Sequence, residues 1–336
     1  MKAPTKNSRI LIVGPAWIGD MVMAQSLFIT LKQRLPDSEI DVLAPAWSKP
    51  LLARMPEVQS SVTMPLSHGE FGLGARRQLG RLLRDRYDQA IVLPRSWKSA
   101  LAPFFAGIPK RTGYRGEWRY GLINDMRVLD KSRLTQTVQR FVALGLERDA
   151  PSPTAIPKPY LQVDKYNQTV LLNNLALNRS PPIVALMPGA EYGPAKRWPV
   201  ERYGELAKQV LASGKQVWVF GAVREQSLGE EITRIAGKRV VNLCGSTRLE
   251  DVVDLLALAE TAVTNDSGLM HIAAAVGIKM VAIFGSSSPD YTPPLSDKAD
   301  VVYLRLDCSP CFKRECPLKH LNCLKHITVD EVLRRV

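Results

Sequence analysis

The 336-residue chain has no long apolar run. Its longest apolar stretches, such as Val252–Ala259 and Met280–Phe284, stop far short of the roughly 20 residues that cross a bilayer, so no membrane span is expected. Cysteine is scarce as well. There are five thiols, an odd number, with Cys308, Cys311, Cys316 and Cys323 crowded near the end and Cys244 alone. That distribution is not a secreted disulfide framework. Short repeats and low-complexity tracts are missing. The first Gly-rich loop does not spell the G-x-G-x-x-G dinucleotide fingerprint, which counts against a nicotinamide enzyme. The opening MKAPTKNSRILIVGPAW carries a short basic lead, but the apolar run behind it is strand-like, is broken by Gly14 and Pro15, and lacks a clear cleavage signal. It reads as a mature cytosolic N-terminus.

What is present is the composition of a well-packed chain, 46% hydrophobic and 23% charged, at a length that favours two domains. The net charge of +13 is unevenly placed. Residues 1–160 hold 24 Lys/Arg against 13 Asp/Glu, whereas 161–336 hold 21 against 19. A basic half of this size raises the local concentration of anionic ligands and favours an anionic surface; the plainer reading is solubility.

Hydrophobic patterning alternates between strand and helix. Strands are expected at Arg9–Val13, Glu39–Leu43 and Gln89–Leu93, with a helix carrying Met21, Ala24, Phe28, Leu31 and Leu35 and a basic helical segment Arg76–Arg86 between them. Four prolines in residues 151–159 interrupt the series and mark a linker at about 150–160. Beyond a helix over Asp164–Asn178 the pattern resumes, with strands at Ile183–Leu186, Gln216–Phe220, Arg239–Leu243, Thr261–Thr264 and Lys279–Phe284. Helices at about Val200–Ala212, Glu225–Ile235, Leu249–Ala259 and Gly268–Ala275 fill the gaps. The expected fold is α/β, with two doubly wound Rossmann-like domains, 1–160 and 161–336, and a cleft at the carboxyl ends of both sheets.

Three strand-end loops could carry chemistry. In Gly14-Pro-Ala-Trp-Ile-Gly-Asp20, Asp20 lies where a helix starts, so it is either an N-cap or a carboxylate able to take a proton from an acceptor hydroxyl. In Thr264-Asn-Asp-Ser-Gly-Leu-Met-His271, the amides of Ser267, Gly268 and Leu269 would stand unpaired at a helix N-terminus, a place for a diphosphate. Asp266 would cap that helix or orient ligand hydroxyls, and His271 is either a ligand or a packed histidine. In Met187–Pro199, Lys196 and Arg197 offer point charges to a phosphate, or are a solvated pair. The Gly285-Ser-Ser-Ser-Pro-Asp290 loop adds hydroxyls to the same rim. No D-x-D acid pair stands near the diphosphate loop, so fixed positive groups are expected in place of an obligatory divalent metal. In the tail, Cys308, Cys311, Cys316 and Cys323, with His320 nearby, match no standard finger spacing; they are either a metal site or reduced thiols in a loop-rich cap.

Taken together, GPAWIGDMVMAQSL, KSALAPFFAGIPKRTGYRGEWRYGLIND, PGAEYGPAKRWP, TNDSGLMHIAAA, GSSSPDYTPPL and CSPCFKRECPL resemble glycosyltransferase family 9, the heptosyltransferases, and its type II members more than type I. The resemblance runs from the first strand to the cysteine tail. It implies a GT-B fold, an ADP-heptose donor, inversion at the anomeric carbon, and a lipopolysaccharide inner-core acceptor that already carries one heptose. By position it implies Asp20 as catalytic base, Lys196 as phosphate-binding lysine and Asp266-Ser267-Gly268, with Leu269 and His271, as donor loop. The ribose-binding acid aligns nearest Val223, with Glu225 two places on. Arg95, Lys98, Arg115 and Arg119 would face the anionic acceptor, at the cytoplasmic face of the inner membrane, with no nucleic acid involved. No cofactor is obligatory under this reading, with Mg²⁺ stimulatory at most. The alternatives are another ADP- or UDP-sugar enzyme of the same fold, such as heptosyltransferase I or III or a non-hydrolysing epimerase, and a non-catalytic basic module that docks on a membrane surface.

Overall fold

The computed structural model describes residues 8–66 and 69–336; the basic lead Met1–Asn7 lies outside them. The chain divides into two compact units, one ending at Pro159 and the other beginning at Tyr160.

The N-terminal unit is a six-stranded sheet of β1 (Arg9–Val13), β2 (Glu39–Pro45), β3 (Ser60–Met64), β4 (Gln89–Val92), β5 (Lys110–Tyr114) and β6 (Asp125–Arg127). Every pairing is parallel and the order is β3-β2-β1-β4-β5-β6. The C-terminal unit has β7 (Ile183–Met187), β8 (Gln216–Val219), β9 (Val240–Asn242), β10 (Thr261–Asn265), β11 (Lys279–Phe284) and β12 (Ala299–Tyr303), in the order β12-β11-β10-β7-β8-β9. Counted within each unit, both sheets have the doubly wound Rossmann order. Ligands of such sheets sit outside the carboxyl ends of the strands where the order reverses. That point lies between β1 and β4 in the first unit and between β7 and β10 in the second.

β1, β7 and β11 are largely aliphatic runs buried on both faces, as a parallel sheet covered by helices demands, and β10 (TAVTN) is fully buried beside them. Helix Ile18–Arg34 departs from the one-sided stripe expected of it, because even Gln25 and Ser26 are buried. It is covered on its outer side too. Helix Thr137–Leu144, which hydrophobic spacing did not reveal, ends at Gly145 against Leu27, and the Ser26 hydroxyl donates to the Pro157 carbonyl at 2.6 Å. The Pro-rich stretch is therefore tied to this helix at Pro157. Asp164 caps the next helix, Lys165–Asn174, by accepting from the Tyr166 and Asn167 amides, and the helix stops four residues before its expected end. No helix among the described residues is long and apolar enough to cross a membrane.

The tail closes the second core. Leu324, Ile327, Val329 and Val332 are buried with Val184, Leu186, Trp198 and Val281, and the Trp198 indole donates to the Ile327 carbonyl at 3.1 Å. Deleting a buried leucine here removes packing that nothing else can supply. Leu324→Ala is expected to cost about 2–5 kcal/mol of unfolding free energy, read from urea denaturation; a loss within error of zero would place the tail outside the core.

Candidate functional site

In the C-terminal unit the crevice is built from the loops that follow β7, β8, β10 and β11. Asn265, the last residue of β10, is buried and serves as the joint between them. Its side-chain oxygen accepts from the Trp198 amide at 3.0 Å and the Tyr203 hydroxyl at 3.2 Å, while its nitrogen donates to the Pro188 carbonyl at 2.7 Å. The residue lies inside a motif noted from sequence, but this role as anchor had no sequence signal. Held in this way, the loop after β7 brings the Lys196 ammonium to 2.5 Å from the Asp266 carboxylate and 5.2 Å from the centroid of the Tyr192 ring. Asp266 is only 4% exposed and Lys196 18%.

Helix Gly268–Ala275 starts beside this pair. Ser267 is its N-cap by conformation, yet its hydroxyl makes no capping bond and is buried without a partner. The hydroxyls of Ser286 and Ser287, at the end of β11, are likewise buried and unpartnered. The first amides of a helix also lack intrahelical acceptors, and the helix dipole favours negative charge there. Buried donors without acceptors, next to an ammonium, are the chemistry of an anion site.

Two sequence expectations change here. Arg197 is not a freely solvated partner of Lys196: it donates to the Ala190 carbonyl through Nε at 3.2 Å and Nη2 at 3.0 Å, clamping its own loop. His271 is buried. Desolvation drives its pKa down to about 4, with Asp266 opposing and Lys196 reinforcing the shift, so it is neutral at pH 7 and brings no charge to a phosphate. It is a packed histidine behind the ion pair.

Near Val223 the carboxylate turned toward the strand ends is that of Glu225. Val223 is exposed, whereas Glu225 is turned inward and accepts from the Ala222 amide at 2.8 Å. Glu225 lies directly beneath Gly189: a Cβ there would stand 1.9 Å from its Oε1, so only glycine lets the carboxylate reach the strand ends.

In the N-terminal unit Asp20 is the third residue of helix Ile18–Arg34, whose N-cap is Trp17. Asp20 is therefore not the N-cap residue; it sits half-buried in the first turn. Arg95 and Arg115 are exposed in the loops after β4 and β5, and Lys98 donates to the Gly69 carbonyl at 2.9 Å. Arg119 corrects the fourth acceptor assignment. It is fully buried, with Nε donating to the Tyr114 carbonyl at 2.9 Å and Nη1 to the Pro94 carbonyl at 2.8 Å. Burial, with Arg95 adding repulsion, pulls its pKa down to about 10. It is a strut of the loop rather than a ligand.

The cysteine tail is stitched to the crevice. The Ala195 amide donates to the Arg314 carbonyl at 3.0 Å, the Phe312 amide to the Ser286 carbonyl at 2.7 Å, and the Tyr192 hydroxyl to the Phe312 carbonyl at 2.8 Å. Cys308, Cys311, Cys316 and Cys323 line one small cavity with His320 and are free thiols. Among the described residues no group of three or more His, Cys, Asp or Glu is placed to hold a metal ion. Backbone amides, that of Leu321 first, hold the Cys316 thiol below its ordinary range, whereas burial pushes Cys323 up to about 11.

The His271 shift has a consequence for stability. Its folded pKa lies below the unfolded value of 6.5, so its contribution is complete above pH 6.5 and is lost as pH falls toward 4. Wild-type unfolding free energy is expected to fall over that window by on the order of 3 kcal/mol from this group alone. His271→Gln should flatten the dependence in urea titrations at pH 7 and pH 4.5, and an unchanged slope would refute the assignment.

Known proteins resemble the chain along most of its length. The pattern of glycosyltransferase family 9 (heptosyltransferase) matches residues 76–322. Lipopolysaccharide heptosyltransferase 2 of Escherichia coli K12 is 50% identical over 340 residues, covering 98% of this chain and 97% of that protein. Lipooligosaccharide heptosyltransferase 2 of Haemophilus influenzae is 50% identical over 306 residues, covering 88% of each. The solved structure of E. coli ADP-heptose lps heptosyltransferase II superposes with a TM-score of 0.86 at 45% identity, over 97% of both chains. Two parallel Rossmann-type sheets with interleaved helices are the GT-B architecture of that structure, and the chain belongs to glycosyltransferase family 9, the heptosyltransferases.

Proposed function

We propose that the protein is an inverting glycosyltransferase that moves heptose from ADP-heptose to the first heptose of the lipopolysaccharide inner core. The observation that carries this reading is the half-identity along nearly the full chain to a protein named lipopolysaccharide heptosyltransferase 2. Chemistry within the two units supports it. The acceptor hydroxyl oxygen attacks the anomeric carbon, its proton passes to the Asp20 carboxylate, and the bond from that carbon to the diphosphate oxygen breaks, releasing ADP. The leaving diphosphate needs preorganised positive groups at the place where its charge develops. We assign that task to Lys196, to the amides of Gly268 and Leu269, and to the hydroxyls of Ser267, Ser286 and Ser287. Glu225 is assigned to the ribose hydroxyls.

Charge neutralisation by these fixed groups leaves Mg²⁺ a stimulatory rather than an obligatory role. The donor set favours this, since Asp266, the acid of the crevice loop, is already committed to Lys196. The exposed Arg95 and Arg115, with Lys98, are assigned to anionic groups of the acceptor. The basic excess of residues 1–160 supports work at the anionic cytoplasmic face of the inner membrane.

Incubation with ADP-heptose and a core oligosaccharide that bears one heptose should add a single heptose by mass. Donor alone should give neither ADP release above background nor an epimerised sugar; an epimer would instead indicate an isomerase. Asp20→Asn should lower kcat by about 10²–10⁴-fold while the Kd for ADP stays put. Equal loss of binding and turnover would make Asp20 structural. Lys196→Ala should raise the Kd for ADP by about 10–100-fold, the worth of a charge-assisted hydrogen bond; an unchanged Kd removes it from the phosphate site.

A further inference from the structure

All strands of the N-terminal sheet are parallel, so the loops after them emerge at one edge. Each of the first five strands is followed by a large, exposed aromatic side chain: Trp17 after β1, Trp47 after β2, Phe71 after β3, Trp97 after β4 and Trp118 after β5. The first four are between 37% and 44% exposed, so part of each ring packs on protein while the rest meets water. Trp97 is buttressed by Phe71, with ring centroids 5.0 Å apart. Trp118 is 89% exposed. A chain that buries Trp198 and Trp218 in its other unit has no folding reason to leave tryptophans open here.

The loop that carries Trp118 is held out by design of its neighbours. β5 and β6 are joined by residues 115–124 without a helix, and the buried guanidinium of Arg119 ties that crossing to Tyr114 and Pro94. The residues on either side of the strut, Trp118 and Tyr120, are thereby left at the surface. The same crossing is pressed onto the β4 loop. The Trp97 amide donates to the Glu117 carboxylate at 3.1 Å, and a Cβ on Gly116 would stand 2.2 Å from the Arg95 carbonyl. Trp97 and Trp118 therefore belong to one surface, which also presents Arg95 and Arg115 and shares the sheet edge with Asp20.

We propose that this aromatic rim is a saccharide platform: Trp97 and Trp118 stack on the apolar faces of sugar rings in an anionic oligosaccharide while the neighbouring arginines take its charged groups. Flat exposed rings suit the C–H face of a pyranose, and the arginines supply charge complementarity at the rim. The proposal rests on the transferase reading above and adds the residues that select its acceptor. These are positioning residues that set acceptor affinity, separate from the proton transfer assigned to Asp20.

The test is steady-state kinetics of Trp118→Ala, Trp97→Ala and the conservative Trp118→Phe, each with a soluble delipidated core oligosaccharide and with the lipid-linked acceptor in anionic vesicles. Trp118→Ala should raise the acceptor KM by about tenfold with both acceptors, the worth of roughly one stacking contact. The KM for ADP-heptose should be unchanged, and Trp118→Phe should restore most of the loss. Because Trp118 is almost wholly exposed, this variant tests the platform even if Trp97→Ala fails to fold. A defect confined to vesicles, together with lost vesicle sedimentation, would make the rim a membrane contact and overturn the proposal, as would an unchanged KM on both acceptors. If the wild type transfers no heptose, the transferase reading fails instead. Quenching of tryptophan fluorescence by the delipidated oligosaccharide, lost in Trp118→Ala, then still decides for or against the platform.

Discussion

The contact between Lys196 and Asp266 fixes the chemistry of the C-terminal unit, because neither group can relax away from the other. Asp266 has been taken almost entirely out of water, and stripping a carboxylate of its hydration costs several kcal/mol unless a cation in good geometry offsets it. The ammonium is therefore held at Asp266, just before helix Gly268–Ala275, whose N-cap Ser267 hydroxyl is buried without a partner. Asn265 transmits the same constraint outward, since its three hydrogen bonds leave the loop after β7 only one path past the strand end. The tail completes the wall, with Arg314 and Phe312 bonded to Ala195 and Ser286. Under the transferase reading, these groups form a preorganised site for the leaving diphosphate.

The two units share one strand order but place different side chains at its reversal point. In both, the crevice lies where the order of parallel strands reverses, so the loops after the first and fourth strands are the ones that meet a ligand. In the second unit those loops hold an ammonium, helix amides and hydroxyls, groups that suit a fixed anion. In the first they hold a carboxylate, exposed arginines and aromatic rings, groups that suit a proton donor and a polar, ring-shaped partner. The division of net charge follows from this. The near-neutral unit concentrates its positive character at one point, while the basic unit spreads it over a surface.

Buried aliphatic runs were legible in the sequence; polar edges were not. β1 and β11 run over the residues their hydrophobicity indicates, and helices Val200–Ala212 and Gly268–Ala275 do the same. β3, β5, β6 and β12 have no such run, because SSVTM, KRTGY, DMR and ADVVY lie toward the sheet edges, where one side meets water and polar residues are tolerated. At the site, residue type pointed to Lys196 and Asp266 but could not pair them, since seventy residues separate them. Nor could sequence distinguish Arg115 from Arg119. Both are arginines in one basic loop, yet the first is exposed and the second is fully buried. Glu225 is a different case: its register against the family pattern is ambiguous in the sequence, and only the fold shows its carboxylate packed beneath Gly189.

Arg119 shows why a residue that touches no ligand can still govern recognition. Parallel strands are usually joined by a crossover of a dozen or more residues that contains a helix, whose own hydrogen bonds hold it in shape. The crossing from β5 to β6 has ten residues and no helix, so its course must be fixed by bonds to the neighbouring strands and loops. A guanidinium offers five donors in a rigid fork, enough to satisfy the carbonyls of Tyr114 and Pro94 together. Burying that charge is costly, and the lowered pKa of Arg119 registers the cost. A lysine could not replace it, because one ammonium cannot span both carbonyls in a fixed plane. What the cost secures is direction: with the middle of the loop nailed inward, the side chains before and after it have nowhere to go but out.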